Sequence, residues 1–397
     1  MAAVIDEAHV SQLCDQLLSE LDPKATRPKE FLGRQFDLGL AWVHFPVGEG
    51  GLGASPKLQR TIAQRLQEAG APNSAYRNPI GYGMCAPTVV VHGSPEQRRR
   101  YLRPLFTSEE IWCQLFSEPG AGSDVAGLAT RAVRDGDEWV VNGQKVWTTL
   151  AHLSRWGLLL ARTDPNAAKH NGITAFVIDM HQPGVEVRPL RQITGEAEFN
   201  EVYFTDARVP DAERLGEVGE GWRVGLTTLM NERVAIGAGG APARGSGTIS
   251  LAVKAWNQLP EDRRDPAHKD ELMRLWVEAE VTRLTNIRAG AMRKMGTPGP
   301  EGSVGKLSFA ELNKRISSFA LNLMGAEAML YGSYELVRPE IAMSFESVQK
   351  LFLRCRANSI EGGTSEIMKN ILAERTLGLP GDVRADKDLP WSQVPRS

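Results

Sequence analysis

The sequence predicts an α+β protein in which a small β unit lies between two helical regions. Apolar residues recur at helical spacing over 10–21, and helix-compatible stretches follow over 58–68 and 96–105. Beyond about residue 111 the chain changes to short runs rich in β-branched and aromatic residues. Helical spacing returns after Gly221. Helices, strands and helices in this order favour one unit with a β insert between helical layers.

The central region carries the strand signals. Two β-rich runs lie within 129–149, where Asp135-Gly136-Asp137 and Asn142-Gly143 have the composition of hairpin turns. Short strands at regular spacing predict a small antiparallel β-barrel, with a sandwich as the alternative. The further runs, each ended by Gly, Pro or Asp, lie at 156–162, 172–179, 185–190 and 198–204.

The C-terminal region predicts helices again. From about residue 382 the chain is charged and carries Pro390 and Pro395, so we expect a loose tail. The three regions give an N-terminal helical domain over 1–111, a central β domain over 112–218 and a C-terminal helical domain over 219–397. The predicted C-terminal helices cover 222–241, 269–293, 306–329 and 364–376.

Composition excludes several classes of protein. The 397 residues carry a net charge of −2, which gives no electrostatic footprint for nucleic acid. The four cysteines have no metal-ligand or redox spacing, so we expect reduced thiols and no metal site. The first residues lack the segments of a signal peptide, and the longest apolar run, 156–161, is too short to span a bilayer. We therefore expect a soluble cytoplasmic protein.

The strongest local signal is FSEPGAGSD at 116–124. A predicted strand runs into a Pro-Gly turn, after which Gly122 and Ser123 offer backbone N–H and hydroxyl donors. Glycines here let a flat ligand or an anionic group approach the main chain closely. A tight surface turn has the same composition, so this motif alone leaves both interpretations open.

A second signal, QKVWTT at 144–149, ends the second β-rich run. Trp147 beside Thr148 and Thr149 offers a flat apolar face with hydrogen-bonding groups next to it. This combination suits a planar heteroaromatic cofactor. A core tryptophan between threonines of high β-propensity would give the same pattern.

Together these motifs resemble those of the acyl-CoA dehydrogenase family, and the resemblance covers nearly the whole chain. Five or more motifs in the order of the family are not explained by chance. The others are FP at 45–46 with GGLG at 50–53, GDEWVVNGQK at 136–145, VP at 209–210, GEGW at 219–222 and GTSEI at 363–367.

The resemblance implies a flavoprotein with FAD between the β domain and a C-terminal four-helix bundle. It also implies a homodimer or homotetramer, with a heterotetramer as the alternative. By motif match, Gln114, Phe116, Ser117, Gly122 and Ser123 line the flavin or the thioester, and Trp147, Thr148 and Thr149 pack on the isoalloxazine ring. Thr364 and Glu366 match positions that touch FAD, and the implied substrate contacts are Ser123, Arg233, Gly362 and Gly363.

The implied reaction is FAD-dependent α,β-dehydrogenation of an acyl-CoA thioester to the trans-2-enoyl-CoA, as in fatty acid β-oxidation. A carboxylate must remove the α-proton, and hydrogen-bond donors must stabilise the developing enolate oxygen. The β-hydrogen then leaves as hydride to flavin N5. Apolar surroundings would raise the pKa of the base towards neutral. Electron-transferring flavoprotein is the implied electron acceptor.

Two glutamates compete for the role of base. Most of the family carries the base directly before a single Gly-Thr, where this chain has Gly362, with Glu361 one residue too early. A minority, similar to the long-chain and isovaleryl-CoA dehydrogenases, places it in a Glu-Arg pair on the first long helix of the C-terminal domain. Glu232-Arg233 matches that pair. We therefore expect Glu232 to be the base, with Glu361 as the alternative.

Two motifs of the family are missing. Met230 replaces an aspartate that commonly contacts CoA, and residues 254–260 lack the Arg-x-x-Phe-Gly motif that reaches the FAD of a partner subunit. Arg263, Arg264 and Lys269 are candidates to replace that motif. The alternatives are therefore a subunit of a heteromeric dehydrogenase with a mainly structural role, and a flavin oxidase or monooxygenase of the same fold.

Overall fold

The computed structural model describes residues 5–237, 243–294, 301–341, 347–381, 386 and 389–395. It confirms the predicted order of a helical region, a β region and a second helical region. The ends of the helices follow local rules: Ser94 and Gln97, for example, form a capping box that starts the last N-terminal helix. The N-terminal helices are α1 Glu7–Glu20, α2 Pro28–Asp37, α3 Gln59–Glu68, α4 Ser74–Arg77, α5 Ala86–His92 and α6 Pro95–Phe106.

An aromatic cluster forms much of the N-terminal core. The Trp42 ring stacks on Phe45 and Tyr82, with ring centroids 4.9 and 5.1 Å apart, and meets Phe106 edge-on. Tyr82 lies in a π-helical turn, Gly81–Cys85, and burial raises the pKa of its hydroxyl to about 12. This turn packs against the β region and against the first C-terminal helix, so the aromatic cluster supports both.

The β region is one eight-stranded sheet with the order β6-β7-β3-β2-β4-β5-β8, in which β1 pairs with β4. Most pairings are antiparallel, as predicted, but β1 and β2 each run parallel to β4. The strands are β1 Trp112–Leu115, β2 Arg131–Asp135, β3 Glu138–Thr149, β4 Trp156–Arg162, β5 Ile173–Asp179, β6 Val185–Pro189, β7 Phe199–Pro210 and β8 Arg214–Leu215.

One of the two predicted hairpin turns is wrong. Asp135-Gly136-Asp137 does connect β2 to β3, but Asn142-Gly143 lies inside β3, where Asn142 pairs with Arg131. The β3–β7 register shifts between Val141 and Gly143, so this glycine marks a bulge instead of a turn. The bulge brings the chain against Thr130, whose Oγ1 would lie 2.6 Å from a Cβ added at Gly143.

The second helical region is built around α10. Its residues Leu312, Ile316, Phe319 and Leu323 recur at helical spacing, are buried, and pack against neighbouring helices. The predicted helix over 306–329 is observed to Met324 and continues as a 3₁₀ turn, whereas residues 238–241 of the first predicted helix lie outside the described residues. The helices are α7 Gly221–Gly237, α8 Thr248–Gln258, α9 Pro266–Lys294, α10 Glu301–Met324, α11 Val348–Arg354 and α12 Ser365–Arg375. Within the described ranges, no helix is long and apolar enough to cross a membrane.

The expectation of a loose tail is wrong for residues 389–395, which return to the β region. The Trp391 ring lies under the Arg162 guanidinium, 4.7 Å from its Cζ, and its Nε1 donates to the Gly127 carbonyl at 3.1 Å. The backbone of Trp391 also donates to the Ala167 carbonyl. Arg162 is itself buried and donates to carbonyls of the segment that follows FSEPGAGSD. The tail therefore covers a buried cation, a contact that charge and proline content could not predict.

This contact predicts how much the tail stabilises the fold. Trp391→Ala removes a cation–π contact and a net hydrogen bond, each worth about 1 kcal/mol, so we expect the free energy of unfolding to fall by about 2 kcal/mol. Trp391→Phe keeps a ring over Arg162 and should lose about half as much. Urea unfolding of the three proteins measures both differences. A Trp391→Ala protein as stable as wild type would show that the tail contact contributes nothing.

Candidate active site

The FSEPGAGSD loop is fixed by a buried ion pair that the sequence analysis did not single out. Lys145 is fully buried in β3, and its Nζ donates to the Phe116 carbonyl at 2.9 Å and to Glu118 Oε1 at 2.8 Å. The Glu118 carboxylate also accepts the backbone N–H groups of Ala129 and Thr130. The start of the loop and the segment that follows it are therefore attached to the same pair of charges.

The pKa values of Glu118 and Lys145 both lie below their usual values, for different reasons. Burial by itself would raise the pKa of Glu118, but Lys145 and the N–H donors hold it below its usual value. Burial lowers the pKa of Lys145, and Glu118 offsets only part of that effect. We take the ion pair to be formed, because Lys145 donates to a carbonyl and a carboxylate at once, as an ammonium group does.

A second irregularity of β3 turns Trp147 out of the sheet. The β3–β7 register shifts again between Lys145 and Thr148, and Trp147 has a positive φ of 59°, which is unusual for a bulky residue. Its ring is 58% exposed and touches the Phe199 ring edge-on, with 5.7 Å between centroids. A large aromatic ring held in a strained backbone conformation and presented to solvent is a candidate wall for a ligand.

Thr148, the next residue, carries an orphaned hydroxyl. The side chain is 1% exposed, and its Oγ1 has no hydrogen-bond partner among the described residues. The backbone carbonyl of Thr148 accepts Asn200 Nδ2 at 3.2 Å, which ties β3 to the start of β7. A buried hydroxyl without a partner costs about 1–3 kcal/mol, so Thr148 Oγ1 is a candidate contact for a ligand or a water molecule.

The other predicted residues of this side lie around the loop. The Ser117 carbonyl accepts the Val146 N–H at 2.9 Å, which joins the loop to the strand that carries Trp147. Gln114 is half-buried in β1, whereas Gly122 and Ser123 are exposed. A Cβ added at Gly122 would meet no atom within 4 Å. The loop therefore borders open space.

Helix α7, which carries Glu232, packs on this loop through Gly225. Two turns before the glutamate, Gly225 packs on the loop and on the sheet: its added Cβ would lie 3.8 Å from Phe116 and 2.9 Å from Leu160. Thr228 is anchored to the N-terminal region by a 2.9 Å hydrogen bond between its hydroxyl and that of Thr88. Glu232 itself is half-buried, and the side chain of Arg233 lies outside the described part of the chain.

The late loop holds Glu361 by its side chain. Arg354 Nη1 and Nη2 donate to the two oxygens of the Glu361 carboxylate at 3.1 and 2.9 Å, and Asn358 Nδ2 adds a bond of 2.7 Å. Gly362 and Gly363 follow with φ of 63° and 95°, which a residue with a Cβ rarely adopts. The turn therefore requires glycine at the position where most of the family would place a glutamate.

Lys306 of α10 supports this turn from its other side. Its Nζ donates to the Asn358 carbonyl at 2.9 Å and to the Gly363 carbonyl. Burial lowers the pKa of Lys306, while Glu361, Glu311, Glu232 and Glu366 act on it in the opposite direction. No sequence motif singles out this lysine, because its role depends on contacts between three separate elements.

The start of α12 carries the last two predicted positions. The Thr364 hydroxyl accepts the Ile367 N–H at 3.1 Å and so caps α12, and Glu366 is exposed in the first turn. Of the residues considered for the missing motif, Arg264 donates to the Leu259 and Asn257 carbonyls and so closes the end of α8. Met230 is 64% exposed. The structure thus gives Arg264 a local role at the end of α8.

The family models match three consecutive segments of the chain. The acyl-CoA dehydrogenase N-terminal domain matches 7–109, the middle domain matches 113–207 and the C-terminal domain matches 219–377. The chain belongs to the acyl-CoA dehydrogenase family. Acyl-CoA dehydrogenase IpdE1 of Mycobacterium tuberculosis is 39% identical over 350 residues, which cover 87% of this chain and 86% of that protein. Acyl-CoA dehydrogenase FadE34 of the same organism is 39% identical over 381 residues, covering 95% of this chain and 50% of that protein.

Solved structures of this family are similar to nearly the whole of this acyl-CoA dehydrogenase. The ChsE4-ChsE5 complex from Mycobacterium tuberculosis is 27% identical with a TM-score of 0.70, over 96% of this chain and 100% of that chain. A variant of the Tcur3481-Tcur3483 steroid ACAD is 25% identical with a TM-score of 0.70, over 95% of this chain and 100% of that chain. The predicted fold class is therefore confirmed.

Acyl-CoA dehydrogenases are FAD-dependent flavoproteins, and the residues of this chain fit that cofactor. The exposed Trp147 ring offers an apolar face, and the buried Thr148 hydroxyl beside it is without a described partner. Gly120 and Gly122 border space in which an added Cβ would meet nothing within 4 Å. A flat, hydrogen-bonding group that approaches the main chain closely satisfies all three observations.

Because the Thr148 hydroxyl has no described partner, its removal should not lower the stability of the protein but should weaken FAD binding. Thr148→Val removes an unsatisfied polar group, so the protein without FAD should be as stable as wild type or up to about 1 kcal/mol more stable. The FAD dissociation constant should rise about fivefold to tenfold, because the hydrogen-bond donor or acceptor for the cofactor is lost. Urea unfolding and a fluorescence titration with FAD measure the two effects.

Thr88→Val is the matched control. Its hydroxyl is also buried, but it is bonded to Thr228 and to the Met84 carbonyl, so its removal should lower stability. Equal destabilisation by Thr148→Val and Thr88→Val would mean that the Thr148 hydroxyl is satisfied within the protein.

Proposed function

We propose that this acyl-CoA dehydrogenase removes the α-proton of an acyl-CoA thioester with Glu232 and releases the trans-2-enoyl-CoA. The observation that carries the proposal is the engagement of the alternative base. Both oxygens of Glu361 are bound by the Arg354 guanidinium, and one also accepts Asn358. Three hydrogen bonds take up most of the roughly four lone-pair sites of this carboxylate and fix the direction of its side chain. Anchorage of Glu361 in the turn therefore favours Glu232 as the base.

The surroundings of Glu232 support its assignment as the base. It is half-buried on α7, a helix that packs on the FSEPGAGSD loop through Gly225 and on the N-terminal region through Thr228. The Lys306 ammonium, which holds the Gly362-Gly363 turn, also acts on it. A base on a long helix is held more rigidly than one on a loop, which favours accurate proton transfer.

Other residues of the chain are proposed to bind the cofactor, while Glu232 accepts the proton. Trp147, Thr148, Thr149, Phe116 and Ser117 would hold the cofactor and set its distance from the substrate. The chemistry that FAD supplies when bound is the acceptance of the β-hydrogen with its electron pair. The proton goes to the Glu232 carboxylate, and the electron pair of the broken α-C–H bond remains in the substrate, where it forms the new double bond. Electron-transferring flavoprotein is the proposed electron acceptor.

Exchange of the α-proton tests the base directly. A 3-thia-acyl-CoA carries sulfur at the β position, so its α-proton can exchange with deuterated water although oxidation is blocked. Glu232→Gln should slow this exchange on the order of 10²- to 10⁴-fold and retain FAD, because only the base is lost. Glu361→Gln, the matched control, should slow it less than about tenfold, because it changes only the anchoring of the loop.

The opposite pattern would reassign the base. If Glu361→Gln abolishes exchange and Glu232→Gln retains it, the loop glutamate is the base and the Arg354 pair must open during turnover. Mass spectrometry of the recovered thioester gives the exchange rate in each variant.

We also infer that the chain is a subunit of a heteromeric acyl-CoA dehydrogenase that acts on a bulky, steroid-derived acyl-CoA. Two similar structures support this inference by what they are called, a ChsE4-ChsE5 complex and a Tcur3481-Tcur3483 steroid ACAD. The sequence supports it independently, because the Arg-x-x-Phe-Gly motif that reaches the FAD of an identical partner is absent from 254–260. Arg264, one candidate to replace that motif, already bonds carbonyls at the end of α8. A homotetramer in straight-chain β-oxidation is the competing proposal.

The FAD content of the purified chain distinguishes these assemblies. Expressed alone, a subunit that depends on a different partner should hold clearly less than one FAD per chain, whereas a homotetramer should hold one. Absorbance gives the FAD content and light scattering the mass. For the substrate, a steroid-side-chain acyl-CoA should raise the melting temperature more than a straight-chain thioester of similar carbon number. A homotetramer with full FAD that prefers straight chains would contradict the inference.

A further inference from the structure

Arg354 stands at a junction of the β region, the late loop and the aromatic wall of the site. It is the last residue of α11 and is only 6% exposed. Its Nε donates to Glu198 Oε1 at 2.9 Å, and its other two nitrogens donate to the two oxygens of Glu361. One guanidinium thus joins a buried carboxylate next to β7 with the carboxylate that precedes the Gly362-Gly363 turn.

The same guanidinium touches the aromatic wall. Its Cζ lies 5.4 Å from the centroid of the Phe199 ring, and that ring meets Trp147 edge-on at 5.7 Å. The Glu198 carbonyl accepts the Leu150 N–H at 2.8 Å, which fixes the chain just after Trp147, Thr148 and Thr149. A continuous series of contacts therefore runs from Glu361 through Arg354 and Phe199 to Trp147.

We propose that Arg354 is a positioning residue that locks the Gly362-Gly363 turn to the Trp147 wall of the FAD site. The proposal rests on the assignment of Trp147 to that site under the proposed function. A glycine pair has no side chain of its own with which to fix its place, so the turn depends on the neighbouring Glu361 for anchorage. Glu361 then serves as an anchor, and its charge compensates the buried cation together with Glu198.

The guanidinium suits this task where an ammonium would not. Three nitrogens in a rigid plane reach two carboxylates at once, and the flat face remains available for the Phe199 ring. Burial by itself would lower the pKa of Arg354, but the pairs with Glu361 and Glu198 raise it above its usual value, so the side chain stays charged. Loss of any part of the fork should therefore alter both the turn and the ring.

The chain offers a matched control one turn earlier on the same helix. Lys350 is also buried, and its Nζ bonds Glu196 Oε1 at 2.6 Å, which ties α11 to the same approach to β7. The bond described for Lys350 goes to Glu196, whereas the contacts of Arg354 reach Glu361 and the Phe199 ring. Arg354→Met and Lys350→Met thus each remove a buried cation at the same interface, and they differ in the contacts to the turn and the aromatic wall.

The experiment compares FAD binding and the flavin spectrum in these variants. Arg354→Met should raise the FAD dissociation constant about tenfold or more and shift the visible flavin absorption, the scale expected when a group that orients site residues is lost. Lys350→Met should lower the melting temperature but change the FAD dissociation constant less than twofold. Arg354→Lys keeps the charge without the fork and should show an intermediate rise, and it replaces Arg354→Met if that variant does not fold.

Two results would overturn the inference. One is an equal rise of the FAD dissociation constant in Arg354→Met and Lys350→Met, which would show a general effect of the interface. The other is an unchanged dissociation constant and spectrum in Arg354→Met or Arg354→Lys. Trp147→Ala separates this failure from that of the proposed function: if it leaves FAD binding unchanged, Trp147 is not at the cofactor and the assignment of the site itself fails.

Discussion

The site depends on the buried ion pair between Lys145 and Glu118. Removing two charges from water is costly, and the pair is tolerable only because the remaining hydrogen-bonding groups are satisfied by the Phe116 carbonyl and by the N–H groups of Ala129 and Thr130. A pair of well-packed apolar residues could give the same stability. What the charges add is direction: they attach the start of the FSEPGAGSD loop and the segment after it to β3, immediately before the bulge that exposes Trp147.

Buried cations connect separate segments at two further places in this acyl-CoA dehydrogenase. Arg162 binds carbonyls after the loop and lies over Trp391 of the tail, and Arg354 binds carboxylates on either side of the junction between α11 and β7. Apolar contacts hold elements together but permit sliding, whereas a guanidinium fork accepts one geometry. The contacts between segments around this site carry paired charges. Such contacts suit a site in which a base and a cofactor must be held at an accurate distance.

The local sequence pattern predicts most of the helices and strands. It does not predict the contacts that connect segments far apart in the sequence. The strand predicted over 156–162 is observed at the same residues, where a tryptophan and a run of leucines end at polar neighbours. Asn142-Gly143 was misassigned, since composition does not reveal that Asn142 pairs with Arg131 inside a long strand. No sequence motif singles out Arg354, and its burial follows from packing against Glu198, a residue far away in sequence. Motifs placed the candidate site, but the ion pairs that position it are contacts between distant segments.

The two candidate bases illustrate how a site can separate chemistry from anchorage. A catalytic carboxylate on a tight turn must hold the turn and accept a proton with the same side chain. Here Glu361 is committed to Arg354 and Asn358, and the positive φ of Gly362 excludes a substitute at the usual place. Glu232 extends from α7, whose position is fixed by Gly225 against Phe116 and by Thr228 against Thr88. The proposed base and the late turn are thus supported by different elements, so Arg354 can hold the turn without fixing the carboxylate that accepts the proton.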